Sequence, residues 1–314
     1  MNYIFSTCIG SFLLDENFRI LKFERSQDPL KSNEKIISGH LTDEDIALLK
    51  YEHEAVLLRA EKLNENMGYS SDKKLLRKAL SALSTPEYFS LFREASLKIC
   101  RRAISKSVTP DLLIIQQVNA ISELSKSANL LSKRLREWYG LYNPELSEEV
   151  EDHERFVLKV CSLSKEEVRG ESSMGGSLSV SQLSSLISFA ELVRSIFEEI
   201  RRQEAILEEE MKKNYPNLTA AVGFSIGAKL ISLAGGIRQL AEMPSSKIQV
   251  LGAEKALFRH LKTGARPPKY GIICQHQEII SASDKEKGKA ARKLASRAGI
   301  AAKIDYFRKV QNAD

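Results

Sequence analysis

A short basic segment at residues 252–271, GAEKALFRHLKTGARPPKYG, carries the side chains of this sequence that are best suited to binding an anion. Lys255, Arg259 and Lys262 recur at intervals of three and four residues, so on a helix they share one face. Gly252 and Ala253 stand where that helix would begin, and the backbone N–H groups of a helix N-terminus can receive phosphate. The segment therefore predicts a phosphate-binding helix.

The loop that follows the helix extends the same chemistry. Its two adjacent prolines end the helix and stiffen the chain, so that Arg266 and Lys269 are presented with little loss of entropy on binding. Gln275 and His276 then offer hydrogen bonds and a flat ring that can stack on an unpaired base. Phosphate contacts beside a stacking ring favour RNA as the ligand. The alternative is that these cations are ordinary solvated charges of a basic surface.

The positive charge of the chain is concentrated in its last part. The net charge is +6, whereas residues 252–310 alone hold fourteen Lys and Arg against five Asp and Glu. A basic region on a near-neutral remainder favours a polyanion as the partner of that region. A helix predicted from about residue 285 to 309 adds three cations to the predicted RNA-binding set: Lys289, Arg292 and Lys293. Glu254 is expected to pair with Lys255 or Arg259, or to cap the helix, rather than to touch phosphate.

No pattern in the sequence indicates catalysis. The histidines at 40, 53, 153, 260 and 276 are scattered, and the cysteines at 8, 100, 161 and 274 lie too far apart for a zinc site or a disulfide framework. Nucleophile-elbow, P-loop and strand-borne dinucleotide motifs are missing. We expect a protein that is not an enzyme, has no catalytic residue, metal or cofactor of its own, and lies in the reducing cytoplasm.

Residues 1–108 are predicted to form a small α/β domain. NYIFSTCIGSFLL and FRILKFER are apolar, β-branched and aromatic runs separated by the turn-prone DEN, which predicts a hairpin. A helix with Thr42 as its N-cap is expected to run to about Lys62, and further helices to lie between about Asp72 and Ser105.

Residues 109–214 have the periodicity of a long antiparallel coiled-coil hairpin, with the Gly- and Ser-rich EVRGESSMGGS at residues 167–177 as its tip. One seam steps through Leu186, Ala190, Val193, Phe197, Ile200, Glu204, Leu207 and Met211. We expect a second copy to cover it, which makes this the dimerisation domain, with five contact residues: Leu186, Val193, Phe197, Ile200 and Leu207. The alternative is a compact bundle in which the seam packs inside one chain.

Residues 215–314 are predicted to be all helical and rich in small residues that allow close helix packing. The apolar segment LTAAVGFSIGAKLISLAGG, residues 218–236, is interrupted by glycines and contains Lys229. A buried pair of helices is therefore favoured over a membrane span, and a soluble protein is expected.

The segment from NLTAAVGFSIG through LGAEKALFRHLKTGARPPKYGIICQHQEI, residues 217–279, resembles the Nop domain along its length. LLSKRLREWYGLYNPEL, residues 130–146, is similar to the segment that precedes that domain in the archaeal Nop core protein of box C/D guide ribonucleoproteins. GKAARKLASRAGIAAKIDYF, residues 288–307, is similar to the closing basic helix of the family. The family usually has Pro after QH, where this chain has Gln277.

The resemblance implies a mostly helical, three-part scaffold. Residues 1–108 would bind fibrillarin, the methyltransferase that uses S-adenosylmethionine for RNA 2′-O-methylation, residues 109–214 would form a homodimer, and residues 215–314 would be an all-α Nop domain. That domain would grip the kink-turn of a box C/D guide RNA together with a kink-turn-binding ribosomal-type protein. The match places two groups of residues at this site: Gly252, Ala253, Glu254, Lys255, Arg259 and His260 in the recognition helix, and Arg266, Lys269, Gln275 and His276 in the following loop.

Two other functions fit parts of the pattern. A splicing-factor relative would use the same Nop domain on a spliceosomal kink-turn RNA. A purely structural coiled-coil adaptor would carry a basic end without a ligand. A steep salt dependence of RNA affinity distinguishes RNA binding from the adaptor, because it requires several phosphate contacts.

Overall fold

The computed structural model describes residues 2–59, 68–162 and 173–311, and side chains as far as residue 308. Two compact units emerge, Met1–Val108 and Thr109–Asp314. The predicted boundary near residue 108 coincides with the division between them. The hairpin and the C-terminal helices lie together in the second unit, because helices on both sides of residue 214 pack on one another.

The first unit is built on a sheet with the strand order β3-β2-β1-β4-β5. Its strands have the following bounds: β1 Tyr3–Thr7, β2 Gly10–Leu14, β3 Ile20–Arg25, β4 Val56–Leu58 and β5 Tyr69–Ser70. β1, β2 and β3 are joined antiparallel, whereas β4 runs parallel to β1, with Ile4 opposite Leu57. Both faces of the sheet are buried: Phe12 packs in the cluster on one face, and Ile4 and Leu57 pack in the cluster on the other.

Two predictions for this unit were wrong in detail. The first apolar run is two strands rather than one, because the chain turns back between Thr7 and Gly10, where the Thr7 hydroxyl donates to the Gly10 carbonyl at 2.7 Å. The helix that begins after Thr42 ends at Tyr51 instead of continuing toward residue 62. Its predicted continuation contains the apolar residues of β4, which are buried in the sheet. Residues 60–62 of the prediction lie outside the described residues.

Helices flank the sheet: α1 Pro29–Ile37, α2 Asp43–Tyr51, α3 Lys73–Ala82 and α4 Pro86–Lys106. Thr42 is the N-cap of α2, as predicted, and forms a capping box with Asp45. Asp45 also forms a buried ion pair with Arg59, whose Nη2 lies 2.9 Å from its Oδ2. The hydroxyls of Ser6 and Ser11 donate to the other oxygen of Asp45 at 2.8 and 2.6 Å. The charge of Asp45 is thus fully engaged inside the unit.

The second unit begins with an antiparallel hairpin of two long helices: α5 Pro110–Gly140 and α8 Val180–Asn214. The direction is fixed by contacts such as that of Gln117, whose side-chain amide donates to the Gln203 carbonyl at 3.1 Å. Two shorter helices, which the sequence did not reveal, lie between them: α6 Pro144–Glu149 and α7 His153–Ser162. Residues 167–172 of the predicted tip lie outside the described residues, and Met174 is held by its N–H to Glu145 Oε1 at 2.9 Å.

The predicted seam is covered within one chain over much of its length. Leu186 and Val193 are buried in a cluster with Leu135 of α5 and Phe156 of α7. Leu207 is buried in the neighbouring core beside Val118. Leu186, Val193 and Leu207 therefore offer no surface to a second copy in this structure, which matches the alternative of a seam packed inside one chain. Phe197 and Ile200 are half-buried.

Several short helices, a 3₁₀ turn and one long final helix complete the second unit: α9 Pro216–Val222, α10 Phe224–Ala234, α11 Ile237–Glu242, α12 Ser245–Val250, α13 Glu254–Thr263, the 3₁₀ turn Ile272–Gln275, α14 Gln277–Ile280 and the long α15 Lys287–Gln311. α15 packs on α9, α11 and α12. Asp305 of α15 anchors α9 by accepting from the backbone N–H groups of Asn217 and Leu218 at 3.2 and 2.8 Å.

The apolar segment at residues 218–236 is a bent pair of helices. Ile226, Leu230 and Ile231 of α10 are buried in the core of the unit. Along the described chain, no single helix has the length and apolar character needed to cross a membrane. The pair α9 and α10 meets those criteria only when joined across a bend of 113°.

Candidate nucleic-acid interface

The segment from Gly252 to Gly271 forms a projecting arm of the second unit. Its two ends are held side by side, because the N–H of Gly271 donates to Gln249 O at 2.8 Å and that of Ile272 to Leu251 O at 2.7 Å. The side chain of Gln249 also donates to the Lys269 carbonyl at 2.7 Å. No residue of α13, which forms the first half of the arm, is buried. We call residues 252–271 the basic arm.

The N-terminus of α13 differs from the prediction. Gly252 has a φ of +87°, a conformation that favours glycine, and its N–H donates to Glu254 Oε1 at 2.8 Å. The N–H of Ala253 donates to Val250 O at 3.0 Å. These two N–H groups are therefore already bonded, and the prediction that they are free to receive phosphate was wrong. Glu254 was expected to pair with Lys255 or Arg259 or to cap the helix; its carboxylate instead accepts from the N–H of Gly252, and no side chain caps α13.

The cations of α13 lie on one face of the arm, as predicted. Lys255, Arg259 and Lys262 are exposed, and none has a carboxylate within ion-pair distance among the residues that the structure describes. The helix ends at Gly264, whose φ is +69° and whose N–H donates to the His260 carbonyl at 2.9 Å. Nδ1 of the His260 ring contacts the Ala265 carbonyl. His260 thus shapes the turn of the arm and points away from the basic face.

The acidic residues near the arm are all engaged locally. Glu278 pairs with Arg297 at 2.6 Å, and Asp284 pairs with Lys287 at 2.7 Å. These hydrogen bonds lower the pKa of both carboxyls. Glu286 accepts from Ser283 at 3.2 Å. Glu254 and Asp305 are also hydrogen-bonded, so each acidic residue of this region is engaged, and the described part of the region keeps a surplus of cations at its surface.

Eight predicted cations share this condition. They are exposed, and within the described ranges they have no ion-pair partner: Lys255, Arg259, Lys262, Arg266, Lys269, Lys289, Arg292 and Lys293. Two of them extend the surface from the arm to α15. The pKa of Asp284 is lowered mainly by its hydrogen bond with Lys287, and the nearby charge of Lys269 lowers it further. The pKa of Glu278 is lowered mainly by its hydrogen bond with Arg297, and His276 and Lys293 lower it further.

Gln275 and His276 lie beyond the arm, at the end of the 3₁₀ turn. Gln275 is exposed, and its Oε1 accepts from Lys229 Nζ at 3.2 Å. His276 caps α14, because its Nδ1 accepts from the N–H of Glu278 at 3.2 Å. Gln277 stands where the family usually has Pro, and it is the first residue of α14. The first position of a helix accommodates proline, so Gln277 occupies a backbone position that Pro could also take.

Three residues of this surface were missed by the sequence reasoning. Phe258 and Leu261 of α13 are 68% and 72% exposed, beside the basic face. Their position between the predicted cations of one helix was a usable signal, but no role was predicted for them. Lys229 had been noted as an interruption of an apolar segment, and its contact with Gln275 required the fold to be known.

Across the part of the chain that is described, no three His, Cys, Asp or Glu side chains are grouped so that they could hold a metal ion. The arrangement instead offers cations on a rigid projecting arm, bordered by apolar side chains. Such a surface can bind the phosphates of a folded nucleic acid and an apolar patch of a protein beside it.

Comparison with known proteins places this surface inside a recognised domain. The Nop family, described as "snoRNA binding domain, fibrillarin", matches residues 120–314. An uncharacterized NOP5 family protein of Methanocaldococcus jannaschii is 39% identical over 265 residues, which cover 78% of this chain and 61% of the relative. Nucleolar protein 56 of Mus musculus is 36% identical over 224 residues, covering 64% of this chain and 39% of the relative.

Nucleolar protein 58 of Candida albicans is 31% identical over 338 residues, covering 93% of this chain and 65% of the relative. This chain thus spans less than two thirds of the length of these relatives. Among solved structures, a chain of a fibrillarin/Nop5p complex aligns with 98% of this chain and 92% of its own length, at 24% identity and a TM-score of 0.42.

Proposed function

The chain belongs to the Nop family, and we propose that it is a non-catalytic scaffold of a box C/D guide ribonucleoprotein. In this proposal its basic arm binds a kink-turn RNA together with a ribosomal-type protein already bound there. Its N-terminal unit holds fibrillarin, which carries S-adenosylmethionine and performs the RNA 2′-O-methylation. The observation that supports RNA binding most strongly is the set of cations on and beside the arm that have no ion-pair partner among the described residues, while the acidic residues nearby are engaged.

The apolar side chains of the arm support joint recognition. Phe258 and Leu261 border the basic face, so a ligand that lies on the cations also covers these side chains. RNA alone would cover little of these two apolar side chains, whereas a protein bound to the same RNA can bury them, and burial of apolar surface stabilises the complex. We therefore assign Lys255, Arg259 and Lys262 to the RNA and Phe258 and Leu261 to the protein partner.

The test is affinity for a kink-turn RNA with and without its ribosomal-type protein. Arg259→Ala should lower the affinity for RNA both with and without the ribosomal-type protein. Phe258→Ser should leave the affinity for RNA alone unchanged and reduce only the increase in affinity that the protein provides. Phe307→Ser is the matched control, because Phe307 is a 58% exposed phenylalanine on α15. Affinity that changes neither with the protein nor with Arg259→Ala would refute the proposal.

The surface of the N-terminal unit supports a protein partner for that unit. An apolar groove of about 680 Å³ opens at the corner of α3 and α4 and is lined by Leu80, Phe89 and Phe92. Leu80 and Phe89 are 52% and 71% exposed. We propose this groove as the fibrillarin contact. Phe89→Glu should abolish co-purification with fibrillarin, and Ile104→Glu, at a 67% exposed position of the same helix, should not.

Homodimerisation through the hairpin remains part of the proposal, with a different set of contacts. Leu186, Val193 and Leu207 are engaged inside the chain, so a second copy would contact side chains that remain accessible, such as the 54% exposed Leu192 together with Phe197. The mass of the full chain measured by light scattering tests this. A dimer that Leu192→Glu converts to a monomer supports it, and a wild-type monomer at micromolar concentration contradicts it.

A further inference from the structure

A cavity of about 270 Å³ opens where α10 crosses the α5–α8 hairpin. Its floor is apolar and includes Ile121, Leu207 and the half-buried ring of Phe224. Its rim is polar and carries two lysines, Lys126 of α5 and Lys229 of α10. This cavity has an aromatic floor and a cationic rim, and none of its lining residues belongs to the basic arm.

The rim of this cavity is suited to an anion. Phe224 and Ser225 are the first two residues of α10, so the end of the helix that carries the positive end of its dipole opens onto the cavity. Lys126 is exposed, and within the described chain it has no ion-pair partner. The rim also holds one carboxylate, Glu204, which can accept a hydrogen bond from an amino group of a base.

The floor of the cavity is suited to a flat, partly apolar ring. Phe224 provides an aromatic surface, and Asn129 on the rim offers both a donor and an acceptor for the edge of a base. Aromatic stacking combined with cations for the backbone is how proteins hold unpaired nucleotides. An acidic peptide would also satisfy the lysines, but its carboxylates and backbone would not stack on the ring of Phe224.

A hydrogen bond links the rim of the cavity to the proposed RNA-binding surface. Lys229 Nζ donates to Gln275 Oε1 at 3.2 Å, so one lysine joins the rim to the loop that follows the arm. We propose that this cavity binds one unpaired nucleotide of the RNA held by the arm, with the base against Phe224 and the phosphate between Lys126 and Lys229. This inference rests on the proposed function and adds a second RNA contact to it.

The test uses the full chain and two RNAs: a kink-turn with blunt ends and the same kink-turn with a short unpaired extension. Phe224→Leu keeps the apolar volume and removes the aromatic ring. It should lower the affinity for the extended RNA by about fivefold or more, which corresponds to the lower end of the stacking energy of one base. The affinity for the blunt RNA should stay unchanged. Lys126→Gln should reduce the salt slope for the extended RNA by about 0.7, the value for one single-strand phosphate.

Lys133→Gln is the matched control, because Lys133 is exposed on the same helix and does not line the cavity. Equal affinity of the wild type for both RNAs, or extended-RNA binding unchanged by both Phe224→Leu and Lys126→Gln, would overturn the nucleotide site. If Arg259→Ala still weakened both RNAs, the proposed function would survive that result. If Arg259→Ala changed neither, the proposed function itself would fail. Cross-linking of a 4-thiouridine in the extension to a peptide of α5 or α10 would support the site, and cross-linking solely elsewhere would overturn it.

Discussion

The salt dependence of RNA binding provides a quantitative test of the basic arm. Substitution of Lys255, Arg259 and Lys262 by glutamine removes three of the eight exposed cations that lack an ion-pair partner among the described residues. If each cation meets one phosphate, the wild-type slope of log affinity against log salt is about −6 to −7, and that of the variant is about −3.5 to −4.5.

These slopes differ enough to measure by fluorescence anisotropy on a kink-turn RNA. Between 50 and 200 mM salt, wild-type affinity should fall roughly 4,000- to 16,000-fold, and that of the variant roughly 130- to 500-fold. A variant with the same charge change on α3, Lys73→Gln with Lys74→Gln and Arg77→Gln, is the control and should retain the wild-type slope. A slope that falls equally in both variants would refute the assignment of phosphate contacts to the arm.

Four further predictions concern the groups that hold these elements in place. Gly252→Ala adds a Cβ 3.2 Å from the Ile272 side chain in a left-handed conformation, so urea unfolding should show a loss of about 1–2 kcal/mol, and RNA affinity should fall with it. Asp305→Ala leaves the buried N–H groups at the start of α9 without an acceptor and should cost about 2–3 kcal/mol in the same assay. Asp45→Ala strands the buried guanidinium of Arg59, which should cost about 3–5 kcal/mol in thermal unfolding, and a second change of Arg59 to Met should restore part of that loss. Burial and the nearby guanidinium of Arg136 lower the pKa of His153 below its usual 6.5. As pH falls, the unfolded chain therefore binds a proton at this histidine before the folded chain does, so the free energy of unfolding should decrease below about pH 6.5. His153→Gln should flatten that part of the profile of stability against pH.

Local patterns predicted the elements that depend on neighbouring residues. Thr42 was identified as an N-cap because its hydroxyl stands next to the first turn and can accept from a free N–H there, and the basic face of α13 followed from the spacing of its cations. Helix periodicity identified α5 and α8, since both carry an apolar side over many turns. These features are encoded within ten or so residues of one another.

Features that depend on distant residues were not predicted. The β4 strand was assigned to a helix because its pairing with β1 lies more than fifty residues away in sequence. Leu186 and Val193 were assigned to a dimer because periodicity shows that a side is apolar but does not show what covers it, and α7, which covers part of it, was not foreseen. The bond from Gly252 to Glu254 depends on the φ of Gly252, which the sequence alone did not specify.

Methyl transfer in a reconstituted particle tests the scaffold most directly. Fibrillarin, S-adenosylmethionine, guide RNA, target RNA and the kink-turn-binding protein would be combined with and without this chain, and 2′-O-methylation of the target would be measured. We predict methylation with the complete set, loss of it when this chain is omitted or carries Phe89→Glu, and no methylation by this chain without fibrillarin. Methylation that proceeds equally without this chain, or that this chain performs in the absence of fibrillarin, would contradict the account.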